Sequence, residues 1–178
     1  DKSYLLSQTD HSQLAIVAYE IAMAAYWLSK DIQPEFLIGH SVGEYAACVV
    51  GGYISHKDAI ELLIHRGNLM HQCAQSTQGA MLAVFATPNE CDDIAALRHL
   101  DIAAYNGSQH LVYSGPLPLI QAAVKLLQEL NIQHNQLNVP CAAHSSLLDP
   151  ILERFHNLAS TMASSSGTIP LISTVTGK

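Results

Sequence analysis

Gly39-His40-Ser41-Val42-Gly43 is the segment that leaves this chain the fewest folds to choose from. It follows a short apolar run, Phe36-Leu37-Ile38, which reads as a buried strand. It precedes Glu44–Val50, which reads as a helix closed by Gly51-Gly52. A GxSxG turn between strand and helix implies an α/β layer, with the Ser hydroxyl held out at the end of the strand. The helix start behind it offers backbone N–H groups, and the Val42 N–H can face a developing oxyanion.

Helix and strand signals alternate around this turn. A helix is expected over residues 10–30, where Leu14, Val17, Ala18, Ile21, Ala24, Ala25 and Leu28 recur at helical steps. Asp10 is its expected cap and Pro34 follows its end. Ser55 opens a longer helix over 56–75. From residue 81 the order becomes strand 81–87, helix 89–99, strand 101–105, strand 111–114, helix 116–130 and strand 132–139. That is the split βαβ order of a ferredoxin-like unit. A helix from Asp149 to about Ala163 and a strand over 169–175 close the chain. The expectation is an α/β fold with two parts. Residues 1–78 and 141–178 alternate as α/β layers do, and residues 79–140 form a small inserted ferredoxin-like unit.

Composition removes several functions. The 178 residues are 49% hydrophobic and only 13% charged, with a net charge of −7. There is no Lys/Arg cluster to meet phosphates, and aromatics are only 6%, so nucleic acid is not an expected partner. The longest apolar stretch, Leu14–Leu28, is interrupted by Glu20, so no membrane span is expected. No secretory signal is visible, and the opening Asp1-Lys2 suggests an excised piece. Cys48, Cys73, Cys91 and Cys141 lie far apart with no CxxC. They read as buried free thiols of a cytoplasmic protein, and no metal site is expected. So apolar and weakly charged a chain suggests surface that meets a partner or another part of the same protein.

A serine nucleophile needs a base. Of the ten His, His144 in Cys141-Ala142-Ala143-His144-Ser145-Ser146 is the best placed, after an expected strand. A lone His among small residues also serves as a cap, and spacing alone leaves both readings open. His40 adjoins Ser41, but an elbow turns neighbouring side chains apart. An α/β-hydrolase would need an acid between Ser and His. Asp101 is the candidate, though it falls inside the inserted unit, and an HGGG-type oxyanion segment is absent.

Gly39–Ala47, GHSVGEYAA, resembles the GHSxGExAA signature of the malonyl-CoA:acyl-carrier-protein transacylases and the acyltransferase domains of modular polyketide synthases. Further marks follow in the family's order: Arg66-Gly67-Asn68-Leu69-Met70, Gly79-Ala80-Met81, Ala104-Tyr105-Asn106, Val112–Gly115, Cys141–Ser145 and Ile169–Gly177. The resemblance implies that Ser41 carries the acyl group as an ester, with His144 as base and then acid, oriented by a backbone carbonyl. It implies that Arg66 pairs with the free carboxylate of the acyl group. It places Gln13, Val42, Asn106, Cys141 and Ala143 around the substrate. No tightly bound cofactor is implied. A CoA thioester is the substrate, and the partners are an acyl carrier protein bearing phosphopantetheine and neighbouring synthase domains.

Two departures accompany this likeness. No Gly-Gln-Gly oxyanion segment occurs in Asp1–Gly39, and the family continues beyond the point where this chain stops. The resemblance therefore implies an internal fragment, in which residues 1–78 and 141–178 are parts of a large α/β-hydrolase-like subdomain, incomplete at both ends, and residues 79–140 its small ferredoxin-like subdomain. The alternative is that the isolated chain is a non-catalytic binding or structural piece. Cys141-Ala142-Ala143-His144 matches neither His-Ala-Phe-His, common in malonyl-selective members, nor the Tyr-Ala-Ser-His of methylmalonyl-selective ones. Ala143 leaves room for an α-substituent, whereas Val42 favours malonyl.

Overall fold

Helix α1 (Thr9–Leu28) forms where the apolar repeat predicts it. Its Val17 packs with Ala46 and Leu63, and Leu14 and Ile21 flank that contact. The computed structural model describes residues 8–178, so Asp1-Lys2 lies outside the described residues. Asp10 is not the cap: Gln8 precedes the helix and makes no side-chain cap bond, while Asp10 sits within the first turn. There its carboxylate complements the positive end of the helix dipole.

The chain forms two compact units, one of residues up to Asn68 with Arg154–Lys178, the other of Leu69–Glu153. In the first, β1 (Leu37–Ile38) pairs in parallel with β6 (Leu171–Ile172), Leu37 opposite Leu171 and Ile38 opposite Ile172. Helix α2 (Gly43–Val50) follows β1, and α3 (His56–Thr77) begins here and ends in the second unit. Ser55 caps α3, its hydroxyl accepting from the Asp58 N–H at 3.0 Å and donating to the Asp58 carboxylate at 2.7 Å. The final strand is shorter than the expected 169–175. Pro170 has no N–H to donate, and beyond Ile172 the chain turns back, the Gly177 N–H reaching the Ser173 carbonyl at 2.8 Å.

The second unit is built on four strands: β2 (Gly79–Val84), β3 (Asp101–Gly107), β4 (His110–Pro116) and β5 (His134–Gln136). Their order is β3-β4-β2-β5, and every neighbouring pair is antiparallel. Leu82, Val84, Leu111 and Tyr113 bury one face against Ile120, Ala123 and Leu127 of α5 (Leu117–Glu129). Met81, Ala83 and Val112 project from the other face, as period-two alternation requires.

Two elements of this unit are shorter than expected. The 89–99 segment holds a five-residue helix, α4 (Pro88–Asp92), and a separate 3₁₀ turn, Leu97–His99. Thr87 and Glu90 cap α4 reciprocally, and Arg98 Nε donates to the Asp92 carbonyl at 2.6 Å, satisfying an acceptor the helix leaves at its end. The last strand is confined to His134–Gln136, although the Leu137 N–H still donates to Met81 at 2.9 Å. Helix α6 (Asp149–Ala159) follows the 3₁₀ turn Ser146–Leu148. Among the described residues no helix is long and apolar enough to cross a membrane.

Candidate active site

In the first unit the site is organised by the turn between β1 and α2. A Cβ on Gly39 would lie 2.3 Å from the Glu44 nitrogen and 2.4 Å from the Gly43 carbonyl carbon. Only glycine lets the end of β1 lie against the first turn of α2. Ser41 takes the left-handed conformation at φ 53°, which L-residues with a Cβ rarely adopt. The turn is closed by three short-range bonds: Gly43 N–H to His40, Glu44 N–H to Ser41 and Tyr45 N–H to Val42. Ser41 is thus held in a strained, overdetermined conformation at the start of a helix, the arrangement a nucleophile elbow needs.

Two carboxylates flank this turn. Glu44 accepts a hydrogen bond from the Thr174 hydroxyl at 3.0 Å. Glu20 of α1 lies against Gly43, its Oε1 3.4 Å from where a Cβ there would sit. Its Oε2 is buried with no hydrogen-bond partner among the described residues, and burial pushes the Glu20 carboxyl above its usual pKa.

Arg66 belongs to the same unit. Gly67 beside it allows α3 and α1 to touch, since a Cβ at Gly67 would lie 2.7 Å from the Asp10 Cα. One turn along α1, Gln13 is buried and its side-chain oxygen accepts a hydrogen bond from Arg66 Nη1. The guanidinium carbon also stands 6.0 Å from the centre of the Tyr45 ring, within cation–π range. Burial pushes the Tyr45 phenol up and the Arg66 charge opposes that shift. Arg66 is therefore held by α1 on one side and the first turn of α2 on the other. Val42, next to Ser41, packs beside Tyr45 in the same apolar cluster. Tyr45 was not singled out by the sequence, because nothing in its spacing signals a contact with α3.

The second unit carries the remaining candidates. Cys141 and Ala142 are buried, and Ala143 packs against the Met81, Ala83 and Val112 face of the sheet. His144 is exposed and left-handed, at φ 60°. Its loop is tightly tied within this unit. A Cβ at Gly79 would sit 2.4 Å from the Ala142 Cβ, so glycine there admits the loop. The Ser145 hydroxyl donates to the Ala142 carbonyl at 2.7 Å, and the Cys73 thiol meets the Leu147 carbonyl at 3.1 Å. Asn106 lies exposed near the end of β3. Gln13, Ser41, Val42 and Arg66 thus belong to one unit, and Asn106, Cys141, Ala143 and His144 to the other. Cys73, Cys91 and Cys141 are buried and Cys48 is half-buried, and none of the four is in a disulfide.

The chain has a mixed α/β fold with a left-handed serine between two glycines at the start of a helix. The chain belongs to the acyl transferase domain family, whose description matches residues 2–178. It is 33% identical over 168 residues to the non-reducing polyketide synthase ustP of Ustilaginoidea virens, covering 93% of this chain and 8% of that protein. The acyltransferase domain from the second module of the salinomycin polyketide synthase is 34% identical with a TM-score of 0.89, over 97% of this chain and 41% of that one. FabD from Acinetobacter baumannii is 30% identical with a TM-score of 0.90, over 100% of this chain and 59% of that one.

Proposed function

We propose that this chain is the acyl-loading part of a polyketide synthase. It moves an extender unit, malonyl in our reading, from CoA to the phosphopantetheine thiol of an acyl carrier protein. The observation that carries this is Ser41, left-handed at φ 53° between Gly39 and Gly43 at the start of α2. The large part is read as an α/β-hydrolase-like subdomain. Residues 79–140, with their βαββαβ order, are read as an inserted ferredoxin-like subdomain. Four cysteines outside any disulfide suit a reducing cytoplasm.

In this reading the Ser41 hydroxyl attacks the thioester carbonyl. A C–O bond forms, the C–S bond breaks, and the serine proton passes through His144 to the departing CoA thiolate. The carrier thiol then gives its proton to His144 and attacks the ester, and His144 returns the proton to Ser41. One imidazole serves both halves, so the reading requires His144 to reach the Ser41 hydroxyl. Arg66 binds the malonyl carboxylate with its planar fork, and the Gln13 contact and Tyr45 ring orient that fork. Val42 contributes its N–H to the oxyanion. Asn106, Cys141 and Ala143 line the acyl group, and no resident cofactor takes part.

Incubation with malonyl-CoA followed by mass spectrometry tests the proposal. A malonyl adduct on Ser41 that passes to an added carrier protein is the expected result. Release of free malonate with no transfer would instead mark a hydrolase.

A further inference from the structure

The loop that bears His144 is attached to the sheet through a carboxylate. Asp101, the first residue of β3, uses a single carboxylate oxygen to accept both the Ser146 N–H at 2.8 Å and the Ser146 hydroxyl at 2.9 Å. Ser146 opens the 3₁₀ turn Ser146–Leu148, two residues after His144. Asp101 therefore caps that turn from another element, 45 residues away in the chain. The anchor is a sheet residue: Asp101 pairs with Ser114 of β4, which is fully buried. The ties from Ser145 to Ala142 and from Cys73 to Leu147 are between neutral groups. Hydrogen bonds to an ionised acceptor are the stronger kind.

His144 itself is left-handed at φ 60°. A residue with a Cβ keeps that conformation only where its surroundings impose it. On the N-terminal side of His144 the buried Cys141-Ala142 pair fixes the chain. On the C-terminal side the two bonds from Asp101 do so. We propose that Asp101 is a positioning residue for the proton-transfer step. It fixes Ser146 and, through it, the backbone that aims the His144 imidazole. The inference rests on His144 being the base of the proposed reaction. Asp101 here orients loop backbone through Ser146.

The experiment uses the full chain and compares wild type with Asp101→Ala and Asp101→Asn. Amide hydrogen exchange reports the loop, and single-turnover loading of malonyl onto Ser41 reports the chemistry. Asp101→Ala is expected to speed exchange at Ser146 by about tenfold or more, while β4 and α5 keep wild-type protection. It should slow loading by roughly 10–100-fold, because a small misplacement of a catalytic group is enough for that. The malonyl-CoA concentration giving half-maximal loading should stay within about twofold, as expected when binding is untouched. Asp101→Asn should restore most of both, since its amide oxygen still accepts the Ser146 N–H. Wild-type exchange and loading in Asp101→Ala overturn the inference, as does a loss seen only in substrate binding. An Asn variant as slow as Ala overturns it too. A wild-type chain that never loads Ser41 overturns the acyltransferase reading and the catalytic consequence with it. Exchange at Ser146 then still decides whether Asp101 holds the loop.

Discussion

Arg66 Nη1 donates to the side-chain oxygen of buried Gln13, so a cation on α3 is fixed from α1. The glycine at 67 makes this contact reachable, because the two helices touch there at Asp10. A guanidinium held on one edge and faced by the Tyr45 ring keeps its other donors in a defined direction. Such preorganisation is what selective binding of a small carboxylate needs.

The strain at Ser41 has a measurable consequence. A left-handed residue with a Cβ costs about 1–2 kcal/mol relative to one that adopts this region freely. Ser41→Ala keeps the Cβ and Ser41→Gly removes it. The glycine's extra freedom in the unfolded chain offsets part of the gain. Ser41→Gly should therefore unfold at a higher denaturant midpoint than Ser41→Ala, by up to about 1 kcal/mol. Neither variant should form a malonyl adduct. A Gly variant less stable than Ala would show that the left-handed turn is not retained in solution.

His144→Ala should slow both acyl loading and acyl transfer to the carrier, by about 10²–10⁴-fold each. In the proposed reaction the proton leaves Ser41 in one half and returns in the other, and the same imidazole handles both. Pre-steady-state measurement of each half separates them. Slowing of one step alone would require a second base.

Much of the first unit is legible in its sequence. The GxSxG turn, α1, α2 and α3 follow from local chemistry: apolar periodicity, Ser55 as a cap, glycines where backbones touch. The second unit's strand and helix order was also legible, because residues 81–87 and 111–114 carry apolar patterns, although the strands themselves run over Gly79–Val84 and His110–Pro116. Its irregular pieces were not. Residues 89–99 have helical spacing, yet the capped turn at Thr87 ends at Asp92 and a 3₁₀ turn follows. The pairings Arg66–Gln13 and Asp101–Ser146 join residues 53 and 45 positions apart, and no local pattern encodes such contacts. The same holds for Glu20, whose place on α1 marks it as a break in an apolar helix and not as a neighbour of Gly43.

Glu20 gives a pH-dependent prediction. Burial raises its carboxyl pKa from 4.5 in the folded chain. Its neutral form is therefore favoured by folding. That contribution is fully present below the unfolded pKa and is lost as pH rises through the folded one. Glu20→Gln keeps the shape and removes the charge. It should raise the midpoint of thermal unfolding at pH 7.5, with the advantage shrinking toward zero below about pH 4. Equal effects of the substitution at both pH values would mean that the carboxyl is solvated in solution. A loss of loading activity in the same variant would add a role for Glu20 beneath the Ser41 turn.

In the proposed reaction Arg66 decides between acidic and neutral acyl groups. Malonyl presents a carboxylate to the guanidinium, while acetyl leaves the charge without a partner in a half-buried place. Arg66→Ala removes both the favourable pair and the penalty. Malonyl loading should fall by about 10²-fold or more, since a charge-assisted contact of this kind contributes a few kcal/mol. Acetyl loading should hold or rise, so the malonyl-to-acetyl ratio collapses. Gln13→Leu provides the control. It leaves the charge in place and removes the contact that orients it. The malonyl-to-acetyl ratio should therefore drop by a smaller factor, about 3–10-fold, on the scale of one hydrogen bond. The ratio is measured by competing malonyl-CoA and acetyl-CoA for Ser41 and weighing the two adducts. If both adducts decline by the same factor in Arg66→Ala, the guanidinium supports the fold of the α1–α3 contact, and the carboxylate-binding assignment is wrong.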